Sequence, residues 1–326
     1  MGQAQFRTDL SHADKKAVFK KSVRRVCLEV SSYCNRRCVF CPNASGIRLS
    51  RSLIGSGMTT ELLESIVDSL QSIGFSDEIL LHLYNEPMAD PHLADKVRLI
   101  SSKLPEATIA FNTNGDYLTK AALEELCEAG LTRMQVSLYG PNHGEYNEDY
   151  LEAAFQRVFK AVGEERPIKK STQEMKSRVA FRHGEAVLPI SIIAKDFNVV
   201  GYDRGMTVET ETIRERTSPC SSLFNEFYIA WNGMVVPCCN LHPDEPDHQK
   251  YGLGTVARGD DMFDIFTSPQ MIGWRRSMAK FGAFSEPCKS CTRGDFTDLA
   301  DSEQASSFNR DAEAFMQPEQ VHPAED

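Results

Sequence analysis

Cys34-Asn-Arg-Arg-Cys38-Val-Phe-Cys41 is the stretch on which the reading of this chain turns. Its cysteines are spaced four and three apart, close enough along the chain for their sulfurs to meet at one point. Thiolates ligate zinc and iron–sulfur clusters, and a closed structural site normally takes four protein ligands. Three in a tight loop suggest a metal centre with one position left open. Three unconnected surface cysteines, or a zinc site completed by a distant histidine, are the competing readings.

The flanking sequence places this loop in an α/β fold. Residues 25–31 alternate like a strand and run directly into the cysteines. Thr59 or Thr60 then caps a helix whose apolar residues, Leu62, Leu63, Ile66, Val67, Leu70 and Ile73, recur at helical spacing before Gly74 ends it. Strands follow at 78–84, 107–112 and 132–138, separated by helices near 92–103 and 119–129. This alternation predicts a parallel sheet with right-handed crossovers. Ligands in such sheets gather at the carboxyl ends of the strands. The polar loops fall there: the cysteine loop, Asn85-Glu86, Asn112-Thr-Asn114 and Ser137. Between 155 and 205 the pattern is less regular, with a plausible strand at 187–194 and a polar excursion over 169–178.

Composition sets the outer bounds. The chain has 326 residues, 41% hydrophobic and 25% charged, the balance of a globular enzyme with one large and one smaller domain. No run of eighteen apolar residues occurs, so a membrane is not an expected partner and a cytoplasmic location is. Ten cysteines in that setting argue for metal ligation rather than disulfides. The net charge of -10 is uneven: residues 1–26 carry net +5 and residues 301–326 net −6. The basic lead-in, 1–23, reads as a solvated helix, and the acidic tail, 301–326, as disordered. No basic stripe interleaved with aromatics points to nucleic acid.

The Cys-x3-Cys-x2-Cys run, with an aromatic before its last cysteine, resembles the signature of the radical S-adenosylmethionine (SAM) enzymes. The resemblance covers residues 24–205 and implies a partial (β/α)6 TIM-like barrel. It implies a [4Fe–4S] cluster on Cys34, Cys38 and Cys41, with SAM chelating the open iron. Asn85-Glu86-Pro87 stands where the family usually has Gly-Gly-Glu. The glycine pair is absent, so Glu86 is what carries over, as acceptor for the SAM ammonium; capping of the next helix is its plainer role. Asn114 and Ser137 fall where related enzymes contact the ribose and carboxylate, and Phe40 where they meet the adenine.

A second cysteine set, Cys220, Cys238 and Cys288-Lys-Ser-Cys291, resembles the shortened SPASM domain called twitch, over residues 206–300. The resemblance implies one auxiliary [4Fe–4S] cluster on these four. A zinc knuckle completed by His242 or His248 is the alternative. Residues 227–236 read as a β-hairpin turning at Asn232-Gly233, which would bring Cys220 and Cys238 together. Cys239 either replaces Cys238 as ligand, faces the substrate, or packs against the cluster. Cys27 and Cys127 alternate with apolar neighbours and read as small core residues.

The family chemistry implied is a 5′-deoxyadenosyl radical that takes hydrogen from an unactivated carbon of a small-molecule substrate. An electron donor such as a flavodoxin or ferredoxin would feed it. With the second cluster accepting an electron, the outcome is oxidation of a carbinol carbon. The layout resembles twitch-bearing dehydrogenases of aminoglycoside pathways, and a sugar or aminocyclitol is the expected substrate. Arg204, sixteen residues before Cys220, would bind a substrate hydroxyl or form a domain-linking salt bridge. If Cys239 instead returns a hydrogen atom, the outcome is epimerisation. A peptide-modifying enzyme is disfavoured by the 25 or so residues before the first strand, and a non-enzymatic iron–sulfur or zinc protein leaves the three-cysteine site unexplained.

Overall fold

The computed structural model describes residues 2–44, 48, 56–141, 146–197, 201, 203–209, 215–294 and 302–316. Four strands lie where the alternation puts them: β1 (Arg25–Leu28), β2 (Glu78–Leu80), β3 (Thr108–Thr113) and β4 (Arg133–Leu138). They pair in chain order, all parallel. β2 is shorter than the 78–84 run suggests, because from Leu81 the chain bends into the loop that carries Glu86.

The irregular stretch resolves into three more strands, β5 (Lys169–Ser171), β6 (Glu174–His183) and β7 (Ala186–Lys195). β7 joins β4 in parallel, while β6 and β5 fold back antiparallel. The polar excursion is thus an edge hairpin whose inward residues, Met175, Ser177, Val179 and Phe181, alternate with exposed ones. At the other edge β8 (Glu226–Ile229) pairs parallel with β1. It carries β9 (Met234–Val236) and β10 (Gly254–Thr255) antiparallel. The parallel arc is β8-β1-β2-β3-β4-β7, an open partial barrel of six strands whose outermost member on one side is the hairpin strand predicted at 227–236.

Four helices cover the outside: α2 (Thr60–Ser72), α3 (Leu93–Lys103), α4 (Lys120–Ala129) and α5 (Glu148–Val162). Thr59, Thr119 and Asn147 cap three of them, each side-chain oxygen accepting from the backbone N–H three residues on. The inward stripe of α2 is Leu63, Ile66, Val67 and Leu70, all buried.

Two expectations need correction. The lead-in helix α1 (His12–Ser22) is not simply solvated. Its Phe19 is fully buried, 5.2 and 5.1 Å from the rings of Phe263 and Phe266 in α6 (Met262–Phe266) and 5.3 Å from Phe227 of β8. Nor is the acidic tail disordered throughout, since α8 (Glu303–Met316), which follows α7 (Pro269–Met278) in the chain, packs on the N-terminal turn Gln3–Phe6, with the Phe315 ring 6.3 Å from that of Phe6. Ala305 and Ala312 are buried there, and the Asn309 side chain bonds both backbone groups of Phe281. Residues 317–326 lie outside the described residues.

Candidate active site and cluster sites

The carboxyl ends of the parallel strands open into one cavity of about 580 Å³. Cys34, Cys38 and Cys41 line it, together with Phe40, Glu86, Asn114, Ser137, Arg204 and Cys239, so every residue singled out for the radical chemistry reaches one space.

The three-cysteine loop is held from the neighbouring strand ends. Arg36 grips Asp116, just past β3, through two hydrogen bonds of 2.7 and 2.5 Å, and Asn35 adds a third at 2.7 Å. Asn114 Nδ2 donates to Asn35 Oδ1 at 2.7 Å, tying the same loop to β3 a second time. The Glu86 N–H bonds Tyr33 O at 2.8 Å, immediately before the first cysteine. Arg48 closes the far side through a buried ion pair, two bonds to Glu29 at 2.8 and 2.9 Å and one to Asp244 at 2.6 Å.

As free thiols these cysteines are poorly solvated. Burial pushes Cys34 up to about 11 and Cys38 to about 12, and raises Cys41. Buried sulfurs that lose protons only with difficulty give them up to a metal. The three thiols on one wall of a polar cavity therefore fit a cluster with an open coordination position.

Glu86 has both roles weighed from the sequence within reach. Its carboxylate caps the short turn at Pro87–Ala89 by accepting from Met88 N at 3.0 Å, and it also accepts from Thr113 Oγ1 at 2.6 Å and Asn114 N at 2.7 Å. Burial raises its pKa against the pull of those donors. A carboxylate has about four lone-pair sites, so one remains for a ligand ammonium. Phe40 stacks on Phe197 at 4.2 Å and meets Tyr139 at 5.3 Å, forming an aromatic wall. Ser137 Oγ accepts from Gln135 Nε2 at 3.1 Å.

Cys220, Cys238, Cys288 and Cys291 line a separate small cavity, walled by Leu223, Leu241, Trp274 and Met278. Burial, and the charge each would place on the others, raises Cys288 to about 12 and Cys291 to about 11 and lifts Cys238 well above its ordinary value. Four thiols lining one apolar-walled cavity fit a fully ligated iron–sulfur cluster. The histidine alternative finds no room. His248 bonds His242 N and Gly205 O, and His242 bonds Asn43 Oδ1 and Asp244 N, so all four ring nitrogens are engaged.

Cys239 parts from its neighbour. It lines the large cavity, while Cys238 lines the small one. Its sulfur accepts from Arg293 Nη1, and the same guanidinium bonds Tyr228 Oη at 2.7 Å and Glu226 at 2.8 and 2.9 Å. Arg204 sits on a turn where Arg204, Gly205 and Met206 all have positive φ, 52°, 67° and 72°. Non-glycine residues hold that conformation only when their surroundings impose it. Asp203 does so by accepting from Gly205 N and, at 2.5 Å, from Ser290 Oγ between Cys288 and Cys291. A Cβ on Gly205 would lie 3.0 Å from the His248 ring, so the turn also needs glycine there.

Among the cavity residues that sequence reasoning passed over are His82, Tyr228 and Arg293. His82 lies two residues past β2, and its Nδ1 accepts from Asn112 N at 3.1 Å. Burial, with Arg25 and Arg293 nearby, pushes it down to about 3, so it stays neutral. Its place in the 78–84 alternation, on the face of Leu80, was the available signal. Tyr228 and Arg293 had none, being brought in by the hairpin and by the chain after Cys291.

The radical SAM superfamily model matches residues 28–170, and an iron–sulfur cluster-binding domain model, SPASM, matches residues 220–292. The chain thus contains a radical SAM domain followed by a SPASM-type domain, and its cofactors are SAM, the [4Fe–4S] cluster that binds it, and an auxiliary iron–sulfur cluster. It is 32% identical over 117 residues to the S-adenosyl-L-methionine-dependent 2-deoxy-scyllo-inosamine dehydrogenase of Niallia circulans, 36% of this chain and 45% of that protein. It is 28% identical over 181 residues to the AdoMet-dependent heme synthase of Methanosarcina barkeri, 55% of this chain and 49% of that one. The chain thus spans about half the length of the curated relatives it matches. Among solved structures, BtrN in complex with AdoMet and 2-DOIA shares the fold, with a TM-score of 0.56 and 21% identity over 78% of this chain and 87% of that one. No helix among the described residues is long and apolar enough to cross a membrane.

Proposed function

We propose that this chain is a cytoplasmic radical SAM dehydrogenase that oxidises a carbinol carbon of a small sugar or aminocyclitol. The observation that carries the reading is the division between Cys238 and Cys239. Adjacent residues face two compartments, so the four-thiol site stands directly behind the wall of the substrate cavity. A centre so placed is suited to accept the electron that a substrate carbon radical must lose to become a carbonyl. The relative named a 2-deoxy-scyllo-inosamine dehydrogenase supports the same class.

In this reading Cys34, Cys38 and Cys41 hold the first cluster, and Cys220, Cys238, Cys288 and Cys291 the auxiliary one. With SAM bound, the first site supplies hydrogen-atom abstraction from an unactivated carbon. The chain's own groups orient the reactants. Glu86 offers its remaining lone pair to the SAM ammonium, Asn114 and Ser137 stand at the neighbouring strand ends, and Phe40 closes the aromatic side. Deeper in the barrel, His82, Asn112 and Gln135 form a neutral polar layer suited to hydroxyl groups, with Arg204 reaching in from the domain join. Neutral His82, accepting at Nδ1, presents Nε2–H and so donates to a substrate oxygen.

Cys239 in the cavity favours a second reading, epimerisation by return of its thiol hydrogen. Turnover of 2-deoxy-scyllo-inosamine in deuterated water separates the two. Dehydrogenation gives a product two mass units lighter and tolerates Cys239→Ala. Epimerisation places deuterium at the product carbon and is abolished by that substitution. Absence of 5′-deoxyadenosine release from anaerobically reconstituted protein given dithionite and SAM would remove both.

A further inference from the structure

Oxidation of a carbinol carbon releases a proton as well as an electron, and the substrate cavity is short of groups to take it. Glu86 is the one carboxylate among its described lining residues, and it already accepts from Met88 N, Thr113 Oγ1 and Asn114 N. His82 is neutral, and the ring nitrogen it turns to the substrate is a donor. The arginines and Lys195 around the wall have no acceptor atom. Tyr228 offers a way out. It lines the cavity from β8, and Glu226 stands two residues before it, so both side chains lie on one face of the strand. The Tyr228 hydroxyl donates to Glu226 Oε2. Arg293 holds the pair in register, Nη1 donating to Tyr228 Oη at 2.7 Å and Nη2 to the Glu226 carboxylate at 2.8 and 2.9 Å. Arg25 Nη1 adds a bond to Glu226 Oε1 at 2.9 Å. Of the two lone pairs on the phenol oxygen, Arg293 takes one, which leaves the other for a substrate hydroxyl. Burial lifts the phenol well above its ordinary range, so it keeps its proton and points it at Glu226. Glu226 lines a second space, a cleft of about 670 Å³ where β1 and β8 begin. Tyr228 lines the first space and Glu226 the second, so the hydrogen bond between them joins the two.

We propose that Tyr228 and Glu226 form the proton exit of the reaction, carrying the substrate's hydroxyl proton from the cavity to the second cleft. The inference rests on the dehydrogenase reading. As the carbinol radical becomes a carbonyl, its O–H bond breaks and its unpaired electron passes to the oxidised iron–sulfur centre at the four-thiol site. The released proton goes to Tyr228 Oη while the phenol's own proton moves to Glu226 Oε2, so the phenol ends neutral, as it began. Glu226 then gives its proton to solvent in the cleft, and a turn of the new O–H restores the starting hydrogen bond. Arg293 and Arg25 gain and lose nothing; they keep phenol and carboxylate aligned.

The test follows 5′-deoxyadenosine and ketone separately in single turnovers of the fully reconstituted chain with SAM, 2-deoxy-scyllo-inosamine and limiting dithionite. Tyr228→Phe removes the hydroxyl, and Glu226→Gln leaves a side chain of the same shape that takes no proton. In each, deoxyadenosine is expected at the parental rate and ketone about a hundredfold more slowly. The carbinol radical should accumulate meanwhile as an electron paramagnetic resonance signal. Ketone that keeps pace with deoxyadenosine in both variants would overturn the relay and leave the dehydrogenase reading intact. Equal slowing of the two products, or loss of iron from both variants, would mark the pair as structural and overturn it as well. If Tyr228→Phe alone fails to take up iron, the split between products in Glu226→Gln decides. Parental protein that releases deoxyadenosine but no ketone would overturn the dehydrogenase reading and the relay with it.

Discussion

Asp116 carries more of the three-cysteine loop than its half-exposed position suggests. It is the common acceptor for Arg36 and Asn35, and it lies on a different strand end from the cysteines. Burial works to raise its pKa, but the Arg36 bonds and charge outweigh that, and the folded value lies below the ordinary 3.8. A carboxyl lowered on folding contributes stability above its unfolded pKa and loses it as pH falls through the folded one. Asp116→Asn should therefore cost about 1–2 kcal/mol at pH 7, allowing for solvent screening. In urea titrations of the iron-free protein, its gap from the parent should close below pH ~3.8. A gap constant down to pH 3 would place the effect elsewhere.

The Cys238–Cys239 pair makes a second prediction at this scale. In protein lacking the first three cysteines, Cys238→Ala should lose the remaining iron, about four atoms per chain. Cys239→Ala should keep it, because its sulfur faces the other cavity. Equal loss in both variants would contradict the division between compartments.

At the scale of elements, the β8–β9 hairpin carries much of the organisation. It brings Tyr228 and Cys239 to the cavity, presents Cys238 to the four-thiol site, and adds a parallel strand to the barrel. Its turn depends on Gly233, at φ 83°, where a Cβ would lie 2.6 Å from that of Ala257. Both the left-handed conformation and the clash oppose a side chain. Gly233→Ala should lower stability by roughly 1–3 kcal/mol in denaturant titrations. A neutral result would mean that the short 3-10 turn at Val256–Arg258 yields easily.

The whole molecule is one sheet, and its cooperativity should reflect that. Phe227 of β8 is buried against Phe19 of α1 and Phe266 of α6, so the lead-in, the barrel edge and the C-terminal region share a core. Phe227→Ala should cost about 3–5 kcal/mol. It should shift a single unfolding transition in iron-free protein rather than melt the C-terminal region alone. Two separated transitions by calorimetry would show that the barrel survives without β8. Fully reconstituted protein should hold about eight irons, falling to about four without Cys34, Cys38 and Cys41.

The sequence by itself determined the α/β alternation, the capped helix that begins at Thr59 or Thr60, the helix near 119–129, and both cysteine sets, because periodicity, capping and thiol spacing are local. Loss of periodicity hid the 169–183 edge hairpin, where solvent on one face lets polar residues dilute the alternation. Composition misled at Glu303–Met316, whose few apolar residues find a surface that no local window contains. Only the tertiary structure decided what lies between the two cysteine sets. The pairing of β8 with β1 is a contact across some two hundred residues, and it alone sends Cys238 and Cys239 to opposite sides of one wall. Tyr228 and Arg293 enter the cavity through the same long-range closure, since no spacing rule relates residues that meet only when a sheet forms.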